Sequence, residues 1–254
     1  MKKYTLLIIF KMLLFGLNQA YAAGDLSKNI RIESEVLGYS LQYRVYTPDG
    51  MAADGYYPTI YVADGPEYIK YGGMVSIMDS LIAEGLMKPV IAVFVDARDP
   101  DDLRKNRRNK QYCCNEDFAK FFISEMIATI ENNYPVSRNN QDRVIQGASA
   151  GGVNAACFGI MATDEFGGLS VHSPGNQRFL RKMGKEYAKN NAFPIKIFMS
   201  VGNNYDNRKI VRRFKSILDK KGYDMNFIQN SKDHGWSNWG PLIDDALLTF
   251  FATD

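Results

Sequence analysis

Five residues, Gly147-Ala148-Ser149-Ala150-Gly151, stand between the apolar run Arg143-Val144-Ile145-Gln146 and the small-residue stretch that opens at Gly152-Val153-Asn154. Where a strand turns abruptly into a helix, its corner residue is held in a strained backbone conformation that small neighbours accommodate. The corner points a hydroxyl outward at a helix N-terminus, the setting of a nucleophile. Ser149 is therefore the candidate, although the same pentapeptide also occurs as a plain Gly/Ser-rich turn.

A serine hydroxyl needs a base, and the chain contains two histidines, His172 and His234. His234 lies in Lys232-Asp233-His234-Gly235-Trp236, a loop between a strand expected at 225–228 and the last helix, which places it at the carboxyl edge of a sheet beside Ser149. His172 follows Ser149 too closely for the usual order of nucleophile, acid and base, and reads as structural or substrate-lining. The orienting acid belongs between Ser149 and His234. Asp206, in the turn Gly202-Asn203-Asn204-Tyr205-Asp206-Asn207, is the candidate; Asp233 is the reserve. The plainer reading of Asp206 is a cap on the helix that starts near Arg208. A tetrahedral intermediate also needs two amide donors: the backbone of Ala150, and one from the turn Val62-Ala63-Asp64-Gly65-Pro66-Glu67, where Gly65 or Glu67 can donate and Pro66 cannot. This chemistry requires neither a metal nor an organic cofactor.

The elements that must place these groups alternate along the chain. Residues 40–47 alternate apolar and polar types and predict an exposed antiparallel strand, whereas 59–63 and 90–95 are almost continuously apolar and predict buried parallel strands. Further strands are expected at 143–146, 168–172, 195–201 and 225–228, and helices at 68–84, 117–133, 152–161, 208–221 and 242–251. The alternation predicts an α/β fold: a mostly parallel central sheet with helices on both faces.

The amino terminus, Met1-Lys2-Lys3 followed by an apolar stretch to Leu17 and then Ala20-Tyr21-Ala22, reads as a secretory signal peptide cleaved after Ala22. The expected organisation is a leader, 1–22, and one catalytic domain, 23–254, in the periplasm or secreted, with no stable membrane span after cleavage. Losing Lys2, Lys3 and Lys11 removes the formal net charge of +3. Overall basicity therefore gives no ground for a nucleic-acid partner, and only local clusters speak. One such cluster, Arg98, Arg104, Lys105, Arg107, Arg108 and Lys110, follows the second buried strand; it either attracts an anionic ligand or is balanced by Asp96, Asp99, Asp101 and Asp102. Tyr112, Trp236 and Trp239 could offer flat walls to aromatic rings. The three cysteines, Cys113, Cys114 and Cys157, show no zinc spacing; the default is three separate thiols, with Cys113 or Cys114 joined to Cys157 as the alternative.

Asp64-Gly65, the stretch from Arg108 through Cys114-Asn115 to Phe118, the Ser149 pentapeptide with Gly152, and His234-Gly235-Trp236-Ser237-Asn238-Trp239 together resemble the esterase family of α/β-hydrolases. The likeness is greatest to the enterochelin (ferric enterobactin) esterases of the short periplasmic type, and runs over 40–251. It implies an α/β-hydrolase fold and hydrolysis of the ester bonds of a siderophore trilactone, an anionic small molecule when iron-loaded. By the same resemblance Ser149 matches the nucleophile, His234 the base and Arg108 an arginine that contacts bound ligand. Gln111-Tyr112 and Tyr68 depart from the family pattern. A carbohydrate-directed acyl esterase, removing feruloyl or acetyl groups, shares fold and catalytic residues; a non-catalytic ferric-siderophore binder is the reading from another class.

Overall fold

The computed structural model describes residues 23–52 and 54–253; the expected leader lies outside them. In chain order the first elements are β1 (Asp25–Leu26), β2 (Ile30–Ser34), β3 (Tyr39–Thr47), β4 (Thr59–Ala63), α1 (Gly65–Lys70), α2 (Met74–Ala83) and β5 (Ile91–Asp96). A hairpin, β6 (Arg98–Asp99) with β7 (Asp102–Asn106), precedes α3 (Arg108–Gln111), α4 (Glu116–Phe121), a π-helical turn (Phe122–Met126) and α5 (Ile127–Asn133). Then come β8 (Arg143–Ala148), α6 (Ala150–Met161), β9 (Gly168–His172), α7 (Gln177–Lys189), β10 (Lys196–Gly202), α8 (Arg208–Lys221), β11 (Asp224–Asn230), α9 (Trp236–Trp239) and α10 (Ile243–Phe251).

Among the described residues nine strands form one sheet in the order β1-β3-β5-β4-β8-β9-β10-β11, with β2 paired to β3. From β5 to β11 every neighbour runs parallel, while β3 is antiparallel to β5 and to β1 and β2. The parallel strands β4, β5, β8 and β9 are buried throughout, as their unbroken apolar runs require when helices cover both faces. The two-residue period separates the faces: Tyr61 enters the larger core with Phe122, Ile145 and Phe158, whereas Ile60 and Val62 enter the second with Tyr68, Met78 and Ile243. Phe158 lies among Phe118, Phe122 and Phe166 with ring centroids 5.2–6.4 Å apart; truncating such a residue to alanine costs about 3–5 kcal/mol.

Three local expectations change. The helix expected over 68–84 is two helices, broken where Gly73 takes φ +63°. The strand expected to be exposed, β3, is largely buried. It lies inside the sheet, and its polar residues have partners: Gln42 donates to Asp96 at 3.0 Å and Ser40 receives Arg31 at 2.7 Å. Instead of three free thiols, Cys114 and Cys157 form a disulfide across 43 residues, which joins the segment after α3 to the middle of α6 and leaves Cys113 free.

Candidate active site

Ser149 joins β8 to α6 with φ 56° and ψ −115°, a conformation unfavourable for a residue with a β-carbon and sustained by the packing around it. Gly147 is what lets the turn close: a Cβ there would meet the Gly151 backbone at 2.3 Å. Strand β8 ends beneath the corner and α6 begins above it, so the hydroxyl is carried out of the sheet at its carboxyl edge. Two strands farther along, β10 ends at Gly202 and its turn brings in Asp206; beyond β11 the next loop brings in His234.

These three side chains meet. His234 Nε2 lies 2.8 Å from Ser149 Oγ, and His234 Nδ1 lies 2.7 Å from Asp206 Oδ1. A carboxylate can only accept, so Nδ1–H donates to Asp206 and Nε2 is left to receive the serine proton. Burial on its own would raise the Asp206 carboxyl, but donors from His234, Ser173, and the Gly202 and Asn207 amides outweigh it and hold the group below its ordinary value. Asp206 therefore stays anionic against the imidazole. It is not the cap of α8.

Two residues not anticipated from the sequence complete this brace. Ser173, at φ 39°, donates to Asp206 Oδ2 at 2.6 Å. Asn238, fully buried, donates to the same oxygen at 3.3 Å and to the Asp233 carbonyl at 3.0 Å, tying the His234 loop to the acid. A third, Gly175, gives its N–H to the Ser149 carbonyl at 3.0 Å, and a Cβ on it would stand 3.2 Å from Ser149 Oγ. The pattern Ser-Pro-Gly-Asn at 173–176 was the available signal, since it marks a turn directly after a strand at the active edge.

The Ala150 N–H opens α6 and the Gly65 N–H opens α1; neither has an acceptor among the described residues. Strands β4 and β8 are neighbours, and Gly151 packs against the Ala63–Asp64 turn, so the two free amides flank one edge of the sheet. Free N–H groups at helix starts are suited to an anionic oxygen. Beside them a cavity of about 140 Å³ is lined by Asp64, Glu67, Arg98, Arg108, Trp236 and Trp239 among others. Trp236 stands edge-on to Tyr68 at 5.0 Å, and Trp239 edge-on to the His234 ring at 5.1 Å, so both tryptophans border the site.

Arg108 reaches the same cavity but is already engaged: its Nε lies 2.8 Å from both oxygens of Asp64 and its Nη2 donates to the Ala148 carbonyl, immediately before the nucleophile. Burial pushes the Asp64 carboxyl up to about 6, with Arg108 opposing the rise. Tyr112 is no wall for a ligand. Its ring is fully buried and its hydroxyl accepts the Asp64 N–H at 3.1 Å, because α3 turns it inward under the turn it supports. His172 is also fully buried, held between the Ser170 and Ser200 hydroxyls, and burial lowers it to about 3, so it stays neutral and structural. The arginine cluster is balanced: Arg98 pairs with Asp96, Arg104 with Asp102, Arg107 with Asp99 and Arg108 with Asp64, all at 2.7–2.9 Å. Among the described residues no group of three or more His, Cys, Asp or Glu is placed to hold a metal ion.

A mostly parallel sheet with a serine at the corner after a central strand, a histidine from a late loop and a carboxylate between them define an α/β-hydrolase. The family model described as "Putative esterase" matches residues 34–250, and the chain belongs to that family of carboxylic ester hydrolases. Uncharacterized protein YjcH of Bacillus subtilis is 24% identical over 226 residues, 84% of this chain and 92% of that protein. The crystal structure of the enterobactin esterase FES from Shigella flexneri in the presence of enterobactin superposes with a TM-score of 0.76 at 21% identity, over 88% of this chain and 58% of that one. The ferulic acid esterase AmCE1/Fae1A of Anaeromyces mucronatus superposes with a TM-score of 0.74 at 17% identity, over 91% and 92%.

Proposed function

We propose that the chain is a serine esterase that opens the ester bonds of a siderophore trilactone of the enterobactin type by way of an acyl-enzyme on Ser149. The hydrogen-bonded line from Ser149 through His234 to Asp206 is the observation that carries this reading. His234 Nε2 takes the hydroxyl proton as Ser149 Oγ attacks the ester carbonyl; the Ala150 and Gly65 amides receive the developing oxyanion. The imidazolium returns its proton to the leaving alkoxide, and a water activated by the same nitrogen releases the acid and restores Ser149. Trp236 and Arg108 border the entering ester, Arg108 fixing the Asp64 turn and the Ala148 carbonyl in place.

One observation favours a second reading, an acyl esterase acting on carbohydrate. With four arginines neutralised by aspartates, the cavity offers little uncompensated positive charge to a ferric tris-catecholate, and tryptophan walls suit an uncharged feruloyl group equally. Mass spectrometry of products from iron-free and ferric enterobactin, methyl ferulate and acetylated xylan, with Ser149→Ala as control, decides between them. Turnover of the trilactone alone upholds the first reading; turnover of feruloyl or acetyl esters alone replaces it. Failure of a fluorophosphonate to label Ser149 in folded protein would leave a binder rather than an enzyme. We also propose export, with residues 1–22 removed; the Cys114–Cys157 disulfide supports an oxidising destination. The first residue of the processed protein should be Ala23.

A further inference from the structure

The helices α7 and α8 pack side by side and together hold twelve lysines and arginines against two acids, Glu186 and Asp219. Their net charge is +10. The 31 basic and 28 acidic residues of the chain, less the three lysines before residue 23, balance one another, so outside the two helices the sequence from residue 23 on is correspondingly negative.

A basic helix face is ordinarily only solvated, but the use of arginine distinguishes this one. Outside the two helices, seven of the eight arginines contact a carboxylate: Arg31, Arg98, Arg104, Arg107, Arg108, Arg138 and Arg143. The eighth, Arg44, binds backbone carbonyls. Within the helices, Arg178, Arg181, Arg208, Arg212 and Arg213 are all exposed and none has a carboxylate partner among the described residues. Among the described residues the fold gives every guanidinium outside this face a carboxylate or backbone-carbonyl partner, and leaves those on the face without a carboxylate.

The face also has an apolar seam. Between the helices runs a groove of about 300 Å³, floored by Gly184, Ala188, Phe214 and Ile217 and rimmed by Lys185 and Arg213. Gly184 opens it by allowing close approach, since a Cβ there would meet Ile217 at 2.9 Å. A fully hydrated polyanion has nothing to place in an apolar seam. An anionic amphiphile does: phosphates for the cations and its upper acyl chain for the groove. With 13 and 14 residues the helices are about 20 Å long, a flat cationic plate rather than a cleft.

We propose that the α7–α8 face docks the protein on an anionic lipid bilayer, lysines and arginines on the phosphates and the seam against the glycerol region. The attraction is of the polybasic kind, confined to about a Debye length and screened by salt. Helices this polar on the outside lie flat in the headgroup region without spanning the bilayer. The inference is independent of which ester the active site takes.

Co-sedimentation with large vesicles tests it. The protein should pellet with vesicles of phosphatidylglycerol in phosphatidylcholine, stay in solution with phosphatidylcholine alone, and be released by high salt. Lys185→Gln/Arg212→Gln/Arg213→Gln should bind about a hundredfold more weakly, about fivefold for each charge removed, with hydrolysis of a soluble ester unchanged. Lys70→Gln/Lys88→Gln/Lys120→Gln, exposed cations elsewhere, should bind as the parent does. Absence of binding to phosphatidylglycerol, equal loss in both triple variants, or capture by polygalacturonate or duplex DNA without capture by the vesicles would each overturn the proposal.

Discussion

Five donors converge on the two oxygens of Asp206, so neutralising this side chain and disturbing its supports should have different consequences. Asp206→Asn keeps the shape but stabilises the wrong imidazole tautomer; kcat should fall by about 10⁴ with KM little changed. Asn238→Ala removes one charge-assisted bond to Asp206 together with the tie to the Asp233 carbonyl and should lower kcat about tenfold, readable in the same steady-state assay. Gly175→Val should leave circular dichroism close to the parent, at a cost of about 1–3 kcal/mol for overpacking a buried site, while abolishing fluorophosphonate labelling, because the new side chain would occupy the approach to Ser149 Oγ. Asp64 titrates in the opposite sense from Asp206. Its folded value of about 6 exceeds the unfolded 3.8, so between these values the native state binds more protons than the unfolded chain, and its ionisation weakens the fold as pH rises. Relative to Asp64→Asn, the parent should therefore gain stability as pH falls from about 6 to about 4, by up to about 3 kcal/mol. A difference in melting temperature that is flat over that interval would contradict this.

At the scale of elements, the Cys114–Cys157 bond makes the arginine-bearing segment and the nucleophile helix one unit. Closing a loop of this length is worth up to about 4 kcal/mol, so reduction should lower the melting temperature and raise KM more than it lowers kcat, as Arg108 loosens from Ala148 while the Ser149 corner persists. The parallel strands and α8 were legible because they are driven by burial, which writes runs such as Thr59–Ala63 and a regular stripe at Ile210, Phe214 and Leu218. Helix α7 was not read, although its buried Leu180, Met183 and Tyr187 stand at i, i+3 and i+7; the Gly184 among them lowers the helical propensity of the stretch, because it serves close contact with α8. The hairpin β6–β7 is written almost wholly in charged residues that pair with one another, and so carries no apolar period. Ser149, His234 and Asp206 could be found because each follows a strand at one edge of one sheet. Ser173 and Gly175 left one signal, a turn directly after a strand at the same edge, but their bonds to Asp206 and Ser149, like those of Asn238, exist only once the fold brings distant segments together. Tyr112 was misread because an aromatic beside a charged stretch looks the same in sequence whether it faces a ligand or supports a backbone turn.

The whole molecule is close to electrically neutral over its described residues yet divided against itself, with its positive charge gathered on one plate and its negative charge spread over the remainder. A cation exchanger should therefore retain it near neutral pH, and the Lys185→Gln/Arg212→Gln/Arg213→Gln variant should elute earlier than a single lost plate charge would allow. Copies of such a body have little mutual repulsion to keep them apart, and the plate of one is attracted to the net-negative remainder of the next. Head-to-tail contact of this kind does not close on itself, so it builds open chains rather than defined oligomers. In dilute buffer the protein should thus grow turbid as concentration rises, and added sodium chloride should clear it, the reverse of the salting-out shown by proteins that aggregate through apolar surface.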